Sequence, residues 1–332
     1  MPELRFDNRV AVVTGAGRGR GRAYALLLAS RGAKVVVNDT GANLTGNGAD
    51  PRPARQVVSE IAAAGGQAVA CTESVATAAG GQAIIDTALG HYGRIDILVH
   101  NAGNVRRATL KKMTYQDFDA VIDVHLRGAF HVVRPAFPVM CDAHYGRIVL
   151  TSSIGGLYGN HGVANYAVAK AGAVGLANVV ALEGASDGVL CNVIVPSAVT
   201  RMGEGLDISA YPPMSPELVA PVVGWLVHES CSITGEMLVA IAGRVAKAIV
   251  AESPGGVSGV VVDRGGGPTN GCHPGLVGAG HLSGRSRRSR RSHPLQLRDG
   301  QTAKPRRSAS WPALTSRQAR WSGSASSILP RW

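Results

Sequence analysis

The sequence has no uninterrupted apolar run of 18 residues, and its first residues, MPELRFDNRV, contain no apolar signal segment. A membrane-spanning helix needs about 20 mostly apolar residues and a secretory signal needs an apolar stretch near the start, so we expect neither a membrane span nor secretion. The 5 cysteines are scattered, without Cys-x-x-Cys spacing. This pattern favours reduced thiols in a cytoplasmic protein over a disulfide framework or a zinc site, and we expect no metal.

Excess charge is also missing from most of the chain, although the formal net charge is +12. Residues 1–263 contain 21 Lys and Arg balanced by 21 Asp and Glu, whereas residues 264–332 contain 13 basic residues and one acid. The extreme of this basic segment is SGRSRRSRRSHP at 283–294. Such a segment could bind RNA or a membrane surface electrostatically, but only three tryptophans are available to stack on bases. We therefore do not expect a nucleic-acid partner.

Apolar runs alternate with helix-forming stretches up to about residue 250. The predicted strands are VAVVT (10–14), KVVVND (34–39), QAVAC (67–71), IDILVH (95–100), GRIVLTS (146–152), LCNVIV (190–195) and MLVAIA (237–242). The predicted helices lie near 21–30, 54–64, 77–91, 115–141, 164–185 and 215–229, and a Gly- and Asn-rich surface loop occupies 40–53. The alternation predicts an α/β fold, a single doubly wound Rossmann-type domain over 1–250 with a seven-stranded parallel sheet. The Gly-, Ser-, Arg- and Pro-rich residues 251–332 are predicted to be a disordered basic tail.

Glycines follow the first strand, where TGAGRGRG (14–21) opens a helix. Glycines at such a turn bring backbone N–H groups close to a pyrophosphate at the positive end of the helix. The spacing of Gly15, Gly19 and Gly21 is GxxxGxG rather than the GxGxxG fingerprint, so an ordinary strand–helix turn remains an alternative.

Asp39 closes the second predicted strand. A carboxylate there can accept hydrogen bonds from the adenosine ribose hydroxyls and would repel a 2′-phosphate, which favours NAD over NADP. Arg18, Arg20 and Arg22 favour the opposite preference. We give Asp39 more weight, because repulsion at contact range exceeds attraction by more distant, solvated cations. A residue that caps a turn is the alternative for Asp39.

Ser153 ends a predicted strand, Tyr166 follows 13 residues later, and Lys170 is one helical turn beyond the tyrosine. Hydride transfer to or from a carbinol carbon requires a proton to leave or reach the substrate oxygen. A phenol with a pKa of about 10 is a poor base at neutral pH, and a neighbouring ammonium lowers that pKa. Taken singly, the three residues could be a turn cap, a core tyrosine and a surface charge. Their order within an α/β chain favours the catalytic interpretation.

The segments TGAGRGRG, HNAG (100–103), TSS (151–153) and YAVAK (166–170), in this order and spacing, resemble the short-chain dehydrogenase/reductase family over about residues 5–245. Further segments, among them VVVNDTG and YGNHGVANY, resemble its branch of (3R)-hydroxyacyl-CoA dehydrogenases. The resemblance implies an NAD-dependent oxidoreductase for a secondary alcohol or ketone, such as a 3-hydroxyacyl-CoA or a hydroxysteroid. It also implies a homodimer or homotetramer formed through the two long helices.

The resemblance implies that Tyr166 is the catalytic acid/base, that Lys170 assists it and binds the nicotinamide ribose, and that Ser153 orients the substrate oxygen. His125 stands where most of the family has Asn in a proton relay; a histidine at an oligomer contact is the alternative. The implied cofactor-binding residues are Gly15, Arg18, Gly19, Arg20, Gly21, Asp39, Ser74, Val75, Asn101, Ala102, Gly103, Tyr166, Lys170, Pro196, Val199 and Thr200.

Besides His125, three positions depart from the family pattern. Arg20 replaces the usual Ile or Leu of the glycine loop, Glu73 stands where an Asp meets the adenine, and His100 replaces the first Asn of NNAG. The basic tail would replace the segment that often shapes the substrate pocket in the family. Two other functions therefore remain open: a ketoreductase for another carbonyl substrate, and a catalytically impaired nucleotide-binding protein with an RNA- or surface-binding tail.

Overall fold

The computed structural model describes residues 3–198 and 212–252. The predictions for Val199, for Thr200 and for almost all of the basic tail lie outside these ranges. Up to Ala251 the described residues belong to one compact unit.

A single sheet forms the centre of this unit. Its strands are β1 (Val10–Thr14), β2 (Lys34–Asn38), β3 (Gln67–Cys71), β4 (Ile97–His100), β5 (Gly146–Thr151), β6 (Val189–Ser197), β7 (Met237–Ile241) and β8 (Arg244–Ala248). They lie in the order β3-β2-β1-β4-β5-β6-β7-β8. The first seven strands are parallel, so the predicted doubly wound α/β fold is confirmed. Val35, Val36 and Val37 are all fully buried, because helices cover both faces of the sheet.

The direction of winding reverses between β1 and β4. The chain moves outward from β1 through β2 to β3 and then returns to place β4 against the other side of β1. At such a switch point the loops after the two strands separate and leave a crevice at their carboxyl ends. The glycine loop follows β1 and the HNAG segment follows β4, so both open onto this crevice.

The prediction of seven strands was short by one, because β8 adds an antiparallel edge strand to β7. Ile241 pairs with Arg244, so the turn between the strands has only two residues, Ala242 and Gly243. Both have positive φ, 49° and 78°, as the favoured two-residue hairpin turns require. Ala–Gly is not one of the dipeptides that signal such a turn, which is why the sequence did not reveal the strand.

The helices are α1 (Gly19–Ser30), α2 (Arg52–Ala63), α3 (Ala78–Tyr92), α4 (Tyr115–Ile122), α5 (Gly128–Asp142), α6 (Ile154–Tyr158), α7 (Ala164–Gly184) and α8 (Ala220–Leu226). The single helix predicted near 115–141 is interrupted by a π-helical turn, Asp123–Arg127, between α4 and α5. A π turn inserts an extra residue and redirects the side chains that follow, and such turns are frequent at functional sites. His125 lies in the middle of it.

Helix α7 carries the predicted tyrosine and lysine. Ala169, Ala173 and Ala177 recur every four residues on its buried side and allow it to pack closely on the sheet. Together with the following turn, Ala164–Asp187 is the one segment of the described chain that is long and apolar enough to pass for a membrane span. That signal is weak, since core helices of soluble proteins produce it as well.

Candidate active site

The glycine loop approaches the HNAG segment so closely that side chains cannot be accommodated. A Cβ atom on Gly21 would lie 2.1 Å from the carbonyl oxygen of Gly15, and a Cβ on Gly15 would lie 2.7 Å from Cα of Ala102. Gly15 and Gly19 also have positive φ, 64° and 53°, which favours glycine. The loop therefore presents bare backbone at the N-terminus of α1, the arrangement that a pyrophosphate needs.

The Asp39 carboxylate is held by backbone amides on both sides. Gly17 donates its N–H to Oδ2 at 2.8 Å, and Gly41 donates its N–H to Oδ1 at 2.7 Å. A Cβ on Gly17 would lie 2.8 Å from Oδ2, so only glycine fits against this carboxylate. The sequence did not single out Gly17, although it lies within the glycine-rich run. Asp39 thus lies beside the glycine loop with lone pairs left for further donors.

Thr14, the last residue of β1, joins the glycine loop to the loop after β4. Its Oγ1 accepts the N–H groups of Asn101 and Ala102, each at 3.1 Å, and lies 3.1 Å from Nδ1 of His100. Asn101 in turn donates through Nδ2 to the carbonyls of Thr14 and Gly15. Its Oδ1 is buried and has no hydrogen-bond partner among the described residues. Asn101 therefore has an acceptor to spare at the edge of the cleft.

One cleft collects most of the residues expected at the cofactor. Gly15, Arg18, Gly19, Arg20, Asp39, Ser74, Val75, Asn101, Ala102 and Gly103 line it, together with Glu73. Gly21 lies beneath the loop, and Pro196 lies in β6 at its carboxyl end. Residues 42–44 and Gly46, from the loop expected only at the surface, form a further wall. Bare glycine backbone, a carboxylate and a spare amide acceptor fit a dinucleotide, while the role of each residue stays a prediction.

Ser153 and Tyr166 both lie close to Gly155. A Cβ on Gly155 would lie 3.6 Å from Oγ of Ser153 and 3.8 Å from Cε1 of the Tyr166 ring. Ser153 is the N-cap of α6 and accepts the N–H of Gly155 at 3.1 Å. The cap uses an acceptor lone pair of the hydroxyl and leaves its proton free for another oxygen. The capping interpretation and the catalytic interpretation are therefore compatible.

Lys170 lies under the tyrosine in a dry environment. Its side chain is almost fully buried, its Nζ lies 5.8 Å from the centre of the Tyr166 ring, and it donates to the carbonyl of Thr151 at 2.6 Å. Burial, and then the charge of Arg20, lower the pKa of Lys170 to about 7. A surface ion pair is excluded for this lysine, and its ammonium is available next to the phenol.

Two buried histidines, His100 and His125, lie near the tyrosine–lysine pair. The rings of His125 and Tyr166 meet edge to face with centroids 5.2 Å apart. Nε2 of His125 lies within hydrogen-bond distance of the backbone N and O of Asn104, while Nδ1 is buried without a partner in the described ranges. Burial first, and Lys170 next, lower the pKa of His125 well below its ordinary value and that of His100 to about 3. Both rings are neutral at physiological pH.

Asn165, which the sequence analysis did not single out, fixes the start of α7. It is fully buried, accepts the N–H of Tyr166 at 2.8 Å, and donates through Nδ2 to the carbonyls of Arg106 and Asp117 at 3.0 and 2.9 Å. An asparagine directly before the tyrosine was the available signal. Among all the residues that the structure describes, including the site itself, no group of three His, Cys, Asp or Glu side chains is placed to hold a metal ion.

A glycine-lined crevice at a switch point, with a tyrosine–lysine pair and a strand-end serine nearby, is typical of one class of nucleotide-dependent oxidoreductases. The family model described as short chain dehydrogenase matches residues 9–206. The chain belongs to the short-chain dehydrogenase/reductase family, as its motifs indicated.

Individual relatives agree with this assignment. The chain is 52% identical over 257 residues to peroxisomal multifunctional enzyme type 2 of Drosophila melanogaster, which covers 77% of this chain but 42% of that enzyme. It is 40% identical over 238 residues to a 3-oxoacyl-[acyl-carrier-protein] reductase of Synechocystis, covering 69% of this chain and 93% of the reductase. The crystal structure of a short chain dehydrogenase from Mycobacterium avium superposes with a TM-score of 0.68 at 41% identity, covering 76% and 89% of the two chains. The chain thus spans less than half of the multifunctional enzyme.

Proposed function

We propose that the protein is an NAD-dependent dehydrogenase/reductase that interconverts a secondary alcohol and its ketone. The observation that carries this proposal is that Ser153 and Tyr166 both lie beside Gly155, with the buried Lys170 next to the tyrosine. A bound nicotinamide cofactor supplies the hydride acceptor or donor for the carbinol carbon. The residues of this chain then have to hold the substrate oxygen and move one proton to or from it.

Each of the three side chains has a distinct part in that proton transfer. The phenolic oxygen of Tyr166 takes the proton of the alcohol in oxidation and returns it in reduction. The hydroxyl of Ser153 donates its free proton to the same substrate oxygen and orients it. Lys170 places its Nζ 5.8 Å from the centre of the Tyr166 ring, and only one of its N–H donors is used by Thr151.

His125 is proposed as a relay residue rather than as an oligomer contact. Its ring is buried against Tyr166, which places it inside the site and away from solvent. A neutral imidazole can accept a proton at one nitrogen and release one at the other, and Nδ1 of His125 is the nitrogen without a partner among the described residues. These features support a role for His125 in delivering a proton to the phenol and in removing it.

We propose NAD rather than NADP as the cofactor. Asp39 borders the cleft beside the glycine loop and has lone pairs left for the ribose hydroxyls, and its charge would repel a 2′-phosphate. Arg18 and Arg20 line the same cleft and favour the other choice. A comparison of kcat/KM for NAD and NADP decides between them, and a preference for NADP would refute the proposal.

A 3-hydroxyacyl thioester, most simply a 3-hydroxyacyl-CoA, is the proposed substrate, with a hydroxysteroid as the second candidate. The segment resemblance to hydroxyacyl-CoA dehydrogenases supports this choice. The reductase of Synechocystis that is 40% identical to this chain is named for a 3-oxoacyl thioester as well. A 3-hydroxyacyl-CoA dehydrogenase and a 3-oxoacyl reductase both interconvert an alcohol and a ketone at C3 of an acyl chain. This is the chemistry that the Tyr166 site can perform.

The test combines a substrate panel with a matched pair of tyrosine variants. We expect (3R)-hydroxyacyl-CoAs to be oxidised with NAD, and hydroxysteroids to be oxidised more slowly or not at all. Tyr166→Phe should abolish turnover while NADH binding, measured by fluorescence titration, changes little. Tyr158→Phe is the control, since this tyrosine is 79% exposed at the end of α6 and should keep full activity. Turnover by Tyr166→Phe would refute the assignment of the acid/base.

We also propose that copies of the chain associate through α5 and α7. These neighbouring helices expose large apolar side chains, with Phe130 at 53% and Leu182 at 80% of their surface in solvent. Covering such side chains in a homodimer or homotetramer would remove apolar surface from water.

A further inference from the structure

The loop between β2 and α2, residues 40–51, forms a wall of the cofactor cleft. Ala42, Asn43, Leu44 and Gly46 line the cleft together with residues of the glycine loop. The loop is closed by a hydrogen bond of 2.8 Å from the N–H of Asp50 to the carbonyl of Thr40. Within it, the Asn43 side chain accepts two backbone N–H groups. Because of these internal hydrogen bonds, we expect residues 40–51 to move relative to the cleft as one unit.

Val105 and Arg106, in the segment after HNAG, form hydrogen bonds to the 40–51 loop. Arg106 donates through Nε to the carbonyl of Thr45 at 3.0 Å and through Nη2 to Oδ1 of Asn47 at 3.2 Å. The N–H of Val105 donates to the carbonyl of Leu44 at 2.9 Å. Arg106 thus provides two of these three bonds, and it is the only one of the contributing groups that carries a charge.

Arg106 is itself held in place by the catalytic side of the molecule. Its Nη1 pairs with Asp117 of α4 at 3.1 Å, and only 19% of its side chain is exposed. Hydrogen bonds from Thr114 and Arg106 lower the pKa of Asp117, so this carboxylate is charged at neutral pH. The backbone carbonyl of Arg106 accepts from Asn165, the residue before the catalytic tyrosine. Arg106 therefore connects the loop to Asp117 through its side chain and to the residue before Tyr166 through its backbone.

We propose that Arg106 is a positioning residue that holds the 40–51 loop against the cleft before the cofactor arrives. The proposal rests on the nicotinamide cofactor of the proposed function. Without the Arg106 side chain, the cofactor would have to order the loop on binding, so its affinity would fall. The bond from Asn165 to the Arg106 backbone would remain, so the geometry of Tyr166 and the turnover at saturating cofactor would persist.

Arg106→Met tests this with Arg107→Met as the control. Arg107 is the adjacent residue, is exposed, and makes no side-chain hydrogen bond or ion pair in the described ranges. We expect Arg106→Met to raise the Kd for NADH and the KM for NAD about tenfold, as the loss of one to two ordinary hydrogen bonds would. The kcat should stay within about twofold of the wild type, and Arg107→Met should match the wild type in every measurement.

Hydrogen exchange of the cofactor-free protein gives a readout that does not depend on turnover. The backbone amides of residues 43–47 should exchange faster in Arg106→Met, and to a smaller extent in Asn47→Ala, than in the wild type and in Arg107→Met. Unchanged exchange and an unchanged Kd in a folded Arg106→Met protein would overturn the proposal. A fall in kcat with no change in Kd would also overturn it and would assign Arg106 to the catalytic helix. If the wild type binds neither NADH nor NADPH, the proposed cofactor is wrong, and the exchange rates still decide whether Arg106 holds the loop.

Discussion

Replacement of Lys170 by methionine should abolish catalysis and yet stabilise the cofactor-free protein. The pKa of Lys170 falls from 10.5 to about 7 on folding. At about 1.4 kcal/mol for each tenfold change, this opposes folding by about 5 kcal/mol at pH 7 and below. Methionine has nearly the same length and no charge, but it leaves the Thr151 carbonyl without its donor at a cost of about 1–3 kcal/mol. We therefore expect the free energy of unfolding to rise by about 2–4 kcal/mol.

The sign and the pH window of this effect can both be measured. Because the folded pKa is lowered, the lysine destabilises the wild type fully below pH 7, and this cost disappears as the pH rises toward 10.5. Urea unfolding of both proteins without cofactor, at one protein concentration and at several pH values, should show Lys170→Met as the more stable protein at pH 7 and below. Near pH 10, where mainly the loss of the donor to Thr151 remains, the variant should be equally or less stable. A Lys170→Met protein that is less stable at pH 7, or a difference that does not vary with pH, would refute the reasoning.

Three further predictions concern the glycine loop and the oligomer. Gly21→Ala places a methyl group 2.1 Å from the Gly15 carbonyl oxygen; urea unfolding should show a loss of about 2–4 kcal/mol, and unchanged stability would contradict the close approach. Arg20→Leu removes a charge that lowers the pKa of Lys170, so this pKa should be higher in the variant. The free energy of unfolding of Arg20→Leu should therefore begin to rise at a higher pH than that of the wild type. Identical pH profiles for the two proteins would mean that Arg20 has no such effect. Leu182→Glu replaces an apolar side chain that is 80% exposed with a charged one. Light scattering should show smaller assemblies for the variant than for the wild type. A monomeric wild type would disprove the interface.

The sequence was sufficient for the seven parallel strands, because each is a short apolar run followed by glycines or polar turn residues. Runs such as Val10–Thr14 admit few other structures once helices alternate with them. The π turn at Asp123–Arg127 was not predictable, because the same residues would form an α-helix and only tertiary contacts select the extra residue. The hairpin to Arg244–Ala248 was missed because its turn uses Ala242 in a conformation that alanine rarely adopts.

Around the site, motif spacing placed individual residues but not the contacts between distant segments. Asp39 was expected at the cleft because it ends a strand next to the glycine loop. Its bond to Gly17 spans 22 residues, and the bond of Arg106 to Thr45 spans 61. Such pairings depend on how loops close over the sheet, and a single sequence carries no periodic signal for them.

The two amides that Asp39 holds restrict how the proposed preference for NAD could be changed in this protein. One amide belongs to Gly17 in the glycine loop, and the other to Gly41 at the start of the 40–51 loop. Asp39→Ala would remove the repulsion of a 2′-phosphate, but it would also release both loops at once. Even Asp39→Asn would turn an NH₂ group toward one of the two N–H donors. A variant that accepts NADP therefore needs a replacement acceptor for each loop in addition to the change at position 39, so the route to it runs through at least two coupled substitutions.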